Sequence, residues 1–530
     1  MPDATTHALT AAPAAHANFD LVVIGSGPAG QKAALCGAKH GKRVAIIDRG
    51  SMIGGVCIHT GTVPSKAIRE AVLHLTGLSQ GNFGELAGRE AAGCGQIRMA
   101  DLLARAKHVS ASEAAVVRRQ MARNKVAFFD GNARFLDAHT ISVDNGSELH
   151  HVRGEHVLVA CGTSPARPEN VPFTPGRVID SDEILNLPEL PASMCIVGGG
   201  VIGTEYAAMM ASCGVRVTLV DGKDRLLDFL DDEIGETLQY RLRRAGVRLR
   251  LGESVKEIVA RNDRRRRHDD EPGDASGPAV TATLCSGKTV SCDVLLYCIG
   301  RQGATDSLDL SAAGLSADKR GRLSVNPQFQ TEVPHIYAAG DVVGFPALAS
   351  TSMEQGRRAA LHMFEPSELV RTPPTPEAAR AQLPAASAGI GNIFPYGIYT
   401  IPEISMVGRT ERQLTEAGVC YEVGVARYDE IARGHLMGDL HGMMKLIFCP
   451  HSHRLLGCHA IGSGATEIIH IGQIAMTAGL PLEYFVDSVF NYPTLAECFK
   501  VAALDGLNRS QRPQQMWRAL EEDEGFKQAA

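Results

Sequence analysis

The segment that decides the fold reads FDLVVIGSGPAGQKAALCGAKHGKRVAIIDRG, from Phe19 to Gly50. An apolar run, a glycine-rich turn, a helical stretch and a second apolar run follow one another, which is the pattern of a βαβ unit. Gly25, Gly27 and Gly30 form G-x-G-x-x-G directly after LVVI. Such a turn brings a pyrophosphate to a helix N-terminus, and Asp48 is placed to bind a ribose hydroxyl. We therefore predict a dinucleotide-binding domain here.

The same pattern returns in MCIVGGGVIGTEYAAMMASCGVRVTLVDGKDR, residues 194–225. Gly198, Gly200 and Gly203 repeat the glycine spacing, and Asp221 follows the last glycine at the same distance as Asp48 follows Gly30. A protein that holds two dinucleotides commonly passes electrons between them, and one of the two is often a tightly bound flavin. The alternative is one functional site and one structural relic.

Composition limits the class of protein. With 530 residues the chain is long enough for three or four domains, and 44% hydrophobic residues, 21% charged residues and 55 glycines are typical of α/β proteins. A net charge of -6 offers no basic surface for nucleic acid or a membrane. The thirteen cysteines show neither C-x-x-C nor metal-ligand spacing, so we expect no metal site and a cytoplasmic location. No apolar run approaches the roughly 18 residues of a membrane span.

Six motifs carry a family resemblance: GSGPAG, GGVC…VPSK, ACGT, GGGVIGTE, YAAGD and NYPTLAE. In this order they resemble the flavin-dependent pyridine nucleotide–disulfide oxidoreductases, such as glutathione reductase and dihydrolipoamide dehydrogenase. The resemblance covers about residues 19–509. It implies an α/β fold with two Rossmann-like dinucleotide-binding domains, one for FAD and one for NAD(P), and a C-terminal α+β dimerisation domain. Nicotinamide dinucleotides and a second copy of the chain are the implied partners.

The resemblance and the composition together predict the domain organisation. The proposed segments are a disordered tail (1–18), the first part of the FAD domain (19–185), the NAD(P) domain (186–298), a central segment completing the FAD site (299–365), a linker or insertion (366–392), the dimerisation domain (393–509) and a polar tail (510–530). A basic and then acidic stretch at 262–278 reads as a solvated hairpin insertion.

The resemblance also implies the residues of the site. Asp341 alone could equally be an ordinary turn residue, but the family pattern assigns it to the ribityl chain of FAD. Lys66 and Glu205 are expected to meet beside the flavin ring, where an ammonium stabilises negative charge on reduced flavin and a glutamate offsets its burial. The predicted FAD residues are Gly25, Gly27, Gly30, Asp48, Gly55, Thr163 and Asp341, and the predicted NAD(P) residues are Gly198, Gly200, Gly203, Asp221, Lys223, Arg225 and Gly300.

The residues after the second glycine motif do not decide between NAD(H) and NADP(H). Asp221 should bond the 2′ hydroxyl of NAD(H) and repel a 2′ phosphate. Lys223 and Arg225 stand close enough in sequence to accept that phosphate. Either the site admits both nucleotides, or Asp221 makes it selective for NAD and the two cations are solvated.

Two departures from the family pattern concern thiol chemistry. Disulfide-reducing members have a second cysteine where this chain has Thr62, five residues after Cys57, and a histidine where it has Tyr492. A disulfide needs two thiols, and a tyrosine is a poor base near neutral pH. Glu497, left without its histidine, serves either the chemistry or the structure, and we favour structure. Cys57 is then a flavin neighbour without a redox role.

Both losses disable the same thiol step, although they lie far apart in the chain. Together with GGVC, PSK and NYPT they resemble the members of the family that transfer hydride between NADPH and NAD⁺ through FAD, by a ping-pong route. One alternative is an NAD(P)H dehydrogenase or diaphorase that reduces a quinone. Another is a dihydrolipoamide dehydrogenase-like reductase using Cys57 as a single thiol, and a third is a redox-sensing or structural flavoprotein without fast turnover.

Overall fold

The computed structural model describes residues 16–78, 97–261, 279–365 and 393–522, with backbone alone at residue 16 and residues 511–522. The predicted insertions at 262–278 and 366–392 lie outside the described residues, as do the first 15 residues. Among the described residues no helix combines the length and the apolar character needed to cross a membrane.

The chain begins with a mainly parallel α/β segment. Its strands and helices up to residue 190 are β1 (His16–Ile24), α1 (Pro28–Lys39), β2 (Val44–Asp48), α2 (Gly55–His59), α3 (Thr62–Leu75), α4 (Met99–Arg123), β3 (Ala127–Asp130), β4 (Asn132–Phe135), β5 (Thr140–Asp144), β6 (Leu149–Val159), β7 (Thr163–Pro165) and β8 (Val178–Asp180).

A second βαβ segment follows, and after it the chain returns to the first sheet. These elements are β9 (Ser193–Val197), α5 (Val201–Ser212), β10 (Arg216–Asp221), α6 (Asp232–Arg244), β11 (Arg248–Leu251), β12 (Val255–Ala260), β13 (Val280–Leu284), β14 (Thr289–Cys292), β15 (Val294–Tyr297), β16 (Arg301–Gly303), β17 (Ile336–Ala338) and α7 (Ala349–Phe364).

The C-terminal segment alternates short strands with helices. Its elements are β18 (Tyr396–Ile398), β19 (Ile404–Gly408), α8 (Glu411–Glu416), β20 (Glu422–Arg427), α9 (Ala432–Met437), β21 (Met443–Phe448), β22 (Leu455–Ile461), α10 (Ala465–Ala478), α11 (Glu483–Asp487) and α12 (Glu497–Glu522).

The described residues divide into two compact units. The first contains residues 16–71, 98–190 and 297–365, and the second contains residues 72–78, 97, 191–296 and 393–522. The first unit thus joins the two segments predicted to bind FAD, and the second joins the predicted NAD(P) and dimerisation segments.

The first unit is built on a sheet of order β3-β2-β1-β6-β5-β4, with β17 added alongside β6. β2, β1, β6 and β17 run parallel, and β4 and β5 are antiparallel additions. β1 lies between two neighbours, so its apolar residues Leu21 to Val23 are completely buried. Parallel strands leave their carboxyl ends at one edge, and the predicted nucleotide turn leaves β1 at that edge.

The described residues of the second unit form three sheets, of which the antiparallel sheet β12-β13-β14 is the smallest. In the nucleotide-binding part β11, β10 and β9 are parallel neighbours, and β15 lies next to β9. In the C-terminal part the order is β18-β19-β22-β21-β20, with antiparallel pairing. α10 and α12 pack on this sheet through Ile469 and Phe499, which are fully buried. The predicted fold class is therefore confirmed.

The structure corrects one predicted boundary and extends a helix past another. Residues 16–18 were assigned to the disordered tail, but they belong to β1, where His16 pairs with His151 and Asn18 with Arg153. Backbone pairing needs no apolar side chain, so this pairing could not be predicted from the side chains of residues 16–18. At the other end α12 continues through residue 509 to Glu522, into the segment assigned to the polar tail.

Candidate active site

The first glycine turn is held in shape by close backbone contacts. Gly25 has a φ of +102°, and a Cβ on Gly30 would lie 1.9 Å from the carbonyl oxygen of Gly25. Glycine is therefore required at both positions. A Cβ on Gly27 would meet no atom within 4 Å, so the space above this residue is open. These are the contacts expected of a turn that lets a pyrophosphate approach the backbone.

The N-terminus of α1 and the end of β2 complete this turn. Gly27 is the N-cap residue and no side chain caps the helix, so its first N–H groups remain available to an anion. Asp48 Oδ2 accepts hydrogen bonds from Ser26 N at 2.7 Å and Ser26 Oγ at 2.6 Å. Burial raises the pKa of Asp48, and the bonds from Ser26 and Arg49 oppose that effect. Asp48 thus fixes the turn, and its bond to ribose stays a prediction.

The GGVC segment rests directly on the first glycine turn. Gly54 has a φ of +98°, and its N–H donates to Ser26 Oγ at 2.9 Å. A Cβ on Gly55 would lie 2.8 Å from the Cα of Gly27. Contact between these glycines positions α2, and with it Cys57, beside the predicted phosphate site.

Cys57 lies in α2, and Thr62, five residues later, begins α3. Burial raises the pKa of the Cys57 thiol, and a hydrogen bond from the Thr62 hydroxyl is the largest effect opposing it. The charges of Asp341 and Lys66 act on the same thiol in opposite directions. All twelve cysteines described by the structure are free, Cys57 among them.

Asp341 follows the end of β17. It begins a short 3-10 helix, and its Oδ1 accepts a hydrogen bond from Ser352 Oγ at 3.3 Å. Burial raises the pKa of Asp341, and the nearby Arg301 guanidinium lowers it. Lys66 Nζ donates to Ser65 Oγ at 3.3 Å. The structure thus brings together Cys57, Lys66 and Asp341, which the sequence placed in separate motifs.

Arg301 contacts a predicted site residue, Thr163, and is not itself among the predicted residues. Its Nε donates to Thr163 Oγ1 at 2.9 Å, and one of its Nη atoms donates to Thr163 O at 2.8 Å. It also pairs with Asp182 at 3.0 Å. The hydroxyl of Thr163, predicted to bind FAD, is thus occupied by Arg301. Gly300, a predicted NAD(P) residue, has a φ of +85° and open space around it. Arg301 is the next residue, so the predicted role of Gly300 was the one sequence signal that could have pointed to it.

The second glycine turn repeats the geometry of the first. A Cβ on Gly203 would lie 2.0 Å from the carbonyl oxygen of Gly198, whereas a Cβ on Gly200 would meet nothing within 4 Å. Asp221 Oδ2 accepts a hydrogen bond from Gly199 N, as Asp48 does from the first turn. Lys223 N donates to Asp221 Oδ1 at 2.7 Å. This agreement favours two functional nucleotide sites over one site and a relic.

Both cations predicted to read a 2′ phosphate pair with carboxylates in the structure. Lys223 Nζ lies 2.8 Å from Asp228, and Arg225 lies 2.9 Å from Asp232. All four side chains are about half exposed, so these pairs are weak and exchangeable.

Glu205 is buried on α5, with 3% of its surface exposed. Its Oε1 accepts a hydrogen bond from the backbone N–H of Tyr399 at 2.8 Å. Lys66 belongs to the first unit and Glu205 to the second. Their meeting beside a flavin ring stays a prediction.

Tyr492 lies in the loop before α12, and Glu497 is the first residue of that helix. Tyr492 is 74% exposed, and nearby Val489 is 96% exposed. Glu497 Oε2 is buried and has no hydrogen-bond partner among the described residues. A buried oxygen without a partner is unusual in a folded protein, so the observation is compatible with a structural role and with a role that involves a further group. Both residues remain predicted site residues.

Two dinucleotide turns in one chain, one of them in contact with a cysteine-bearing helix, define the class of two-nucleotide oxidoreductases. The profile of the family described as pyridine nucleotide-disulphide oxidoreductase matches residues 19–356. Its dimerisation domain matches residues 394–503. The chain belongs to the pyridine nucleotide-disulphide oxidoreductase family, as the motifs predicted.

Similar curated proteins carry a more specific name. A soluble pyridine nucleotide transhydrogenase of Mycobacterium tuberculosis is 49% identical over 494 residues, which is 93% of this chain and 97% of that protein. A protein of the same name from Colwellia psychrerythraea is 42% identical and covers 93% of this chain and 98% of its own length.

Solved structures with the same fold are more distant in sequence. The HOCl-induced flavoprotein disulfide reductase RclA from Escherichia coli has a TM-score of 0.76 at 27% identity, covering 92% of this chain and 99% of that one. LpdA from Mycobacterium tuberculosis has a TM-score of 0.77 at 25% identity with the same coverage.

Proposed function

We propose that this chain is a cytoplasmic flavoenzyme that transfers hydride from NADPH to NAD⁺, giving NADP⁺ and NADH, or the reverse. This is the activity of an Si-specific NAD(P)⁺ transhydrogenase. The observation that carries the proposal is that Thr62, and not a cysteine, follows Cys57 at the position where a second thiol would be needed, and Cys57 is a free cysteine. The names of the similar curated proteins support the same reaction.

FAD suits the residues around the first glycine turn. The open space at Gly27 and the uncapped N-terminus of α1 fit a pyrophosphate, and Asp48 would bind the ribose. Bound there, FAD would accept a hydride from one nicotinamide and return it to another. Asp341 would hold the ribityl hydroxyls, and Lys66 would supply positive charge near the flavin ring.

The second glycine turn would bind each nicotinamide dinucleotide in its turn. Gly200 leaves room for the pyrophosphate, and Asp221 is held by Gly199 N for contact with ribose. Lys223 and Arg225 would neutralise the phosphate that distinguishes NADPH. One site of this kind accounts for the ping-pong route, because the first product must leave before the second substrate binds.

The working form is proposed to be a homodimer or larger homo-oligomer, in line with the matching dimerisation domain. Val489 and Tyr492 are large side chains that the single chain leaves exposed. A second copy packed on this surface would cover them, since exposed apolar patches commonly mark protein interfaces.

A comparison of electron acceptors tests the proposed reaction. With NADPH as donor under anaerobic conditions, we expect rapid NADH formation from NAD⁺, and slow turnover with a quinone or a lipoamide disulfide. Turnover with the lipoamide disulfide should be slow because burial raises the pKa of the lone Cys57 thiol. The thiol is therefore protonated near neutral pH and is a poor nucleophile toward disulfides. Faster turnover with the quinone would favour a diaphorase, and faster turnover with the lipoamide disulfide would favour a single-thiol reductase.

A further inference from the structure

Two arginines share one carboxylate at the junction of the nucleotide-binding and C-terminal parts of the second unit. Asp232 is the first residue of α6, and Arg412 lies in α8. Arg225 Nη1 donates to Asp232 Oδ1 at 2.9 Å, and Arg412 Nη2 donates to the same oxygen. Burial opposes the charge of Asp232, but the bonds from Arg412 and Arg225 outweigh it and lower the pKa. The carboxylate is therefore ionised near neutral pH.

Arg225 extends from the edge of the second glycine turn. Leu226, the next residue, is buried, and its side chain lies 2.6 Å from where a Cβ on Gly199 would be. The same position faces Asp221 Oδ2 at 2.9 Å. The segment that carries Arg225 is thus packed beside the acid that would contact the ribose, which is where a 2′ phosphate would lie.

A buried ion cluster fixes Arg412 within reach of the shared carboxylate. Lys445 Nζ, on the C-terminal sheet, lies 2.7 Å from Asp231 and 3.3 Å from Glu233, and it also contacts Glu411. The Lys445 and Asp231 side chains are 2% and 1% exposed. Because such a buried pair is costly to break, the start of α6 and the start of α8 stay together.

We propose that Arg412 is a positioning residue for the choice between NADP(H) and NAD(H). Arg412 keeps Asp232 paired, and this lets Arg225 leave that carboxylate for a 2′ phosphate at little cost. Without Arg412, the departure of Arg225 would leave Asp232 with no cation bonded to it. NAD(H) has no 2′ phosphate, so its binding would leave Arg225 in place and would not depend on Arg412. The inference rests on the proposed role of this turn in binding nicotinamide dinucleotides.

Titration calorimetry of the FAD-loaded protein compares a ligand that has the 2′ phosphate, 2′,5′-ADP, with one that lacks it, 5′-AMP. We expect Arg412→Gln to weaken 2′,5′-ADP about two- to fivefold, the size of effect expected of a partly exposed ion pair, and to leave 5′-AMP unchanged. Asp232→Asn should instead bind 2′,5′-ADP at least as tightly as the unchanged chain, because Arg225 then has no carboxylate to leave. The matched control is Arg427→Gln, which removes an exposed pair with Glu233 at 3.7 Å in the same region and should change neither ligand.

A double variant distinguishes positioning from direct contact with the phosphate. If Arg412 acts through Asp232, the Arg412→Gln/Asp232→Asn protein binds 2′,5′-ADP as tightly as Asp232→Asn alone. Weaker binding by the double variant would overturn the proposal, as would equal changes for both ligands. Since binding needs no turnover, a protein that gives the expected affinities but transfers no hydride would refute the proposed function alone.

Discussion

Lys66→Ala should lower the rate of hydride transfer about 10²- to 10³-fold, which is the loss expected when one preorganised charge is removed from a reacting centre. Lys66 lies on α3, and its charge acts on the Cys57 thiol next to the first glycine turn. A positive charge there favours the hydride-bearing, anionic state of a bound flavin. Rapid-mixing absorbance of the FAD-loaded variant with NADPH measures this rate.

The control for Lys66 is another lysine of the same unit. Lys39 ends α1 and is exposed, so Lys39→Ala changes the net charge equally without touching the site. It should leave the rate unchanged, whereas Lys66→Arg should restore part of it. If Lys66→Ala reacts as fast as Lys39→Ala, the proposed role of Lys66 is wrong.

Gly27→Ala should reduce bound FAD from about one per chain to about a tenth or less, because the new methyl group would occupy the space reserved for the pyrophosphate. Gly27 has φ −64° and ψ −178°, which alanine adopts without strain, and its added Cβ would touch no protein atom within 4 Å. The free energy of unfolding of the FAD-free protein should therefore change by less than about 1 kcal/mol. Flavin absorbance after gel filtration and urea unfolding measure the two quantities.

Gly200→Ala is the matched control in the second turn. It has φ −70° and equally open space, so it should retain FAD and lose nicotinamide binding instead. Retention of FAD by Gly27→Ala at the wild-type level would show that the first turn does not hold the pyrophosphate.

The sequence predicted what local backbone geometry imposes. Gly30 and Gly203 must be glycines because each closes a six-residue turn on the carbonyl oxygen of its first glycine, and that constraint is visible in the motif itself. That Thr62 stands where a second cysteine would be needed is likewise read directly from the sequence. For these reasons the fold class, the two turns and the missing second thiol could all be predicted from sequence.

Contacts between distant segments could not be predicted in the same way. Arg301 and Thr163 are separated by 138 residues, and Tyr399 and Glu205 by 194, yet both pairs are hydrogen-bonded. The identity of a charged or backbone group does not indicate which distant residue will be its hydrogen-bond partner. Strand pairing at residue 16 also escaped prediction, because it depends on the neighbouring backbone and not on side-chain character.

The central claim is that hydride passes between two nicotinamides without a thiol, and one single-turnover measurement tests it. FAD-loaded Cys57→Ser protein is reduced anaerobically with one equivalent of NADPH, freed of NADP⁺ and mixed with NAD⁺, alongside the unmodified chain. We predict one NADH per flavin and reoxidation within about threefold of the unmodified rate, since no interaction specific to the transition state is lost. A flavin that stays reduced in the presence of NAD⁺, in the variant alone or in both proteins, would contradict the account.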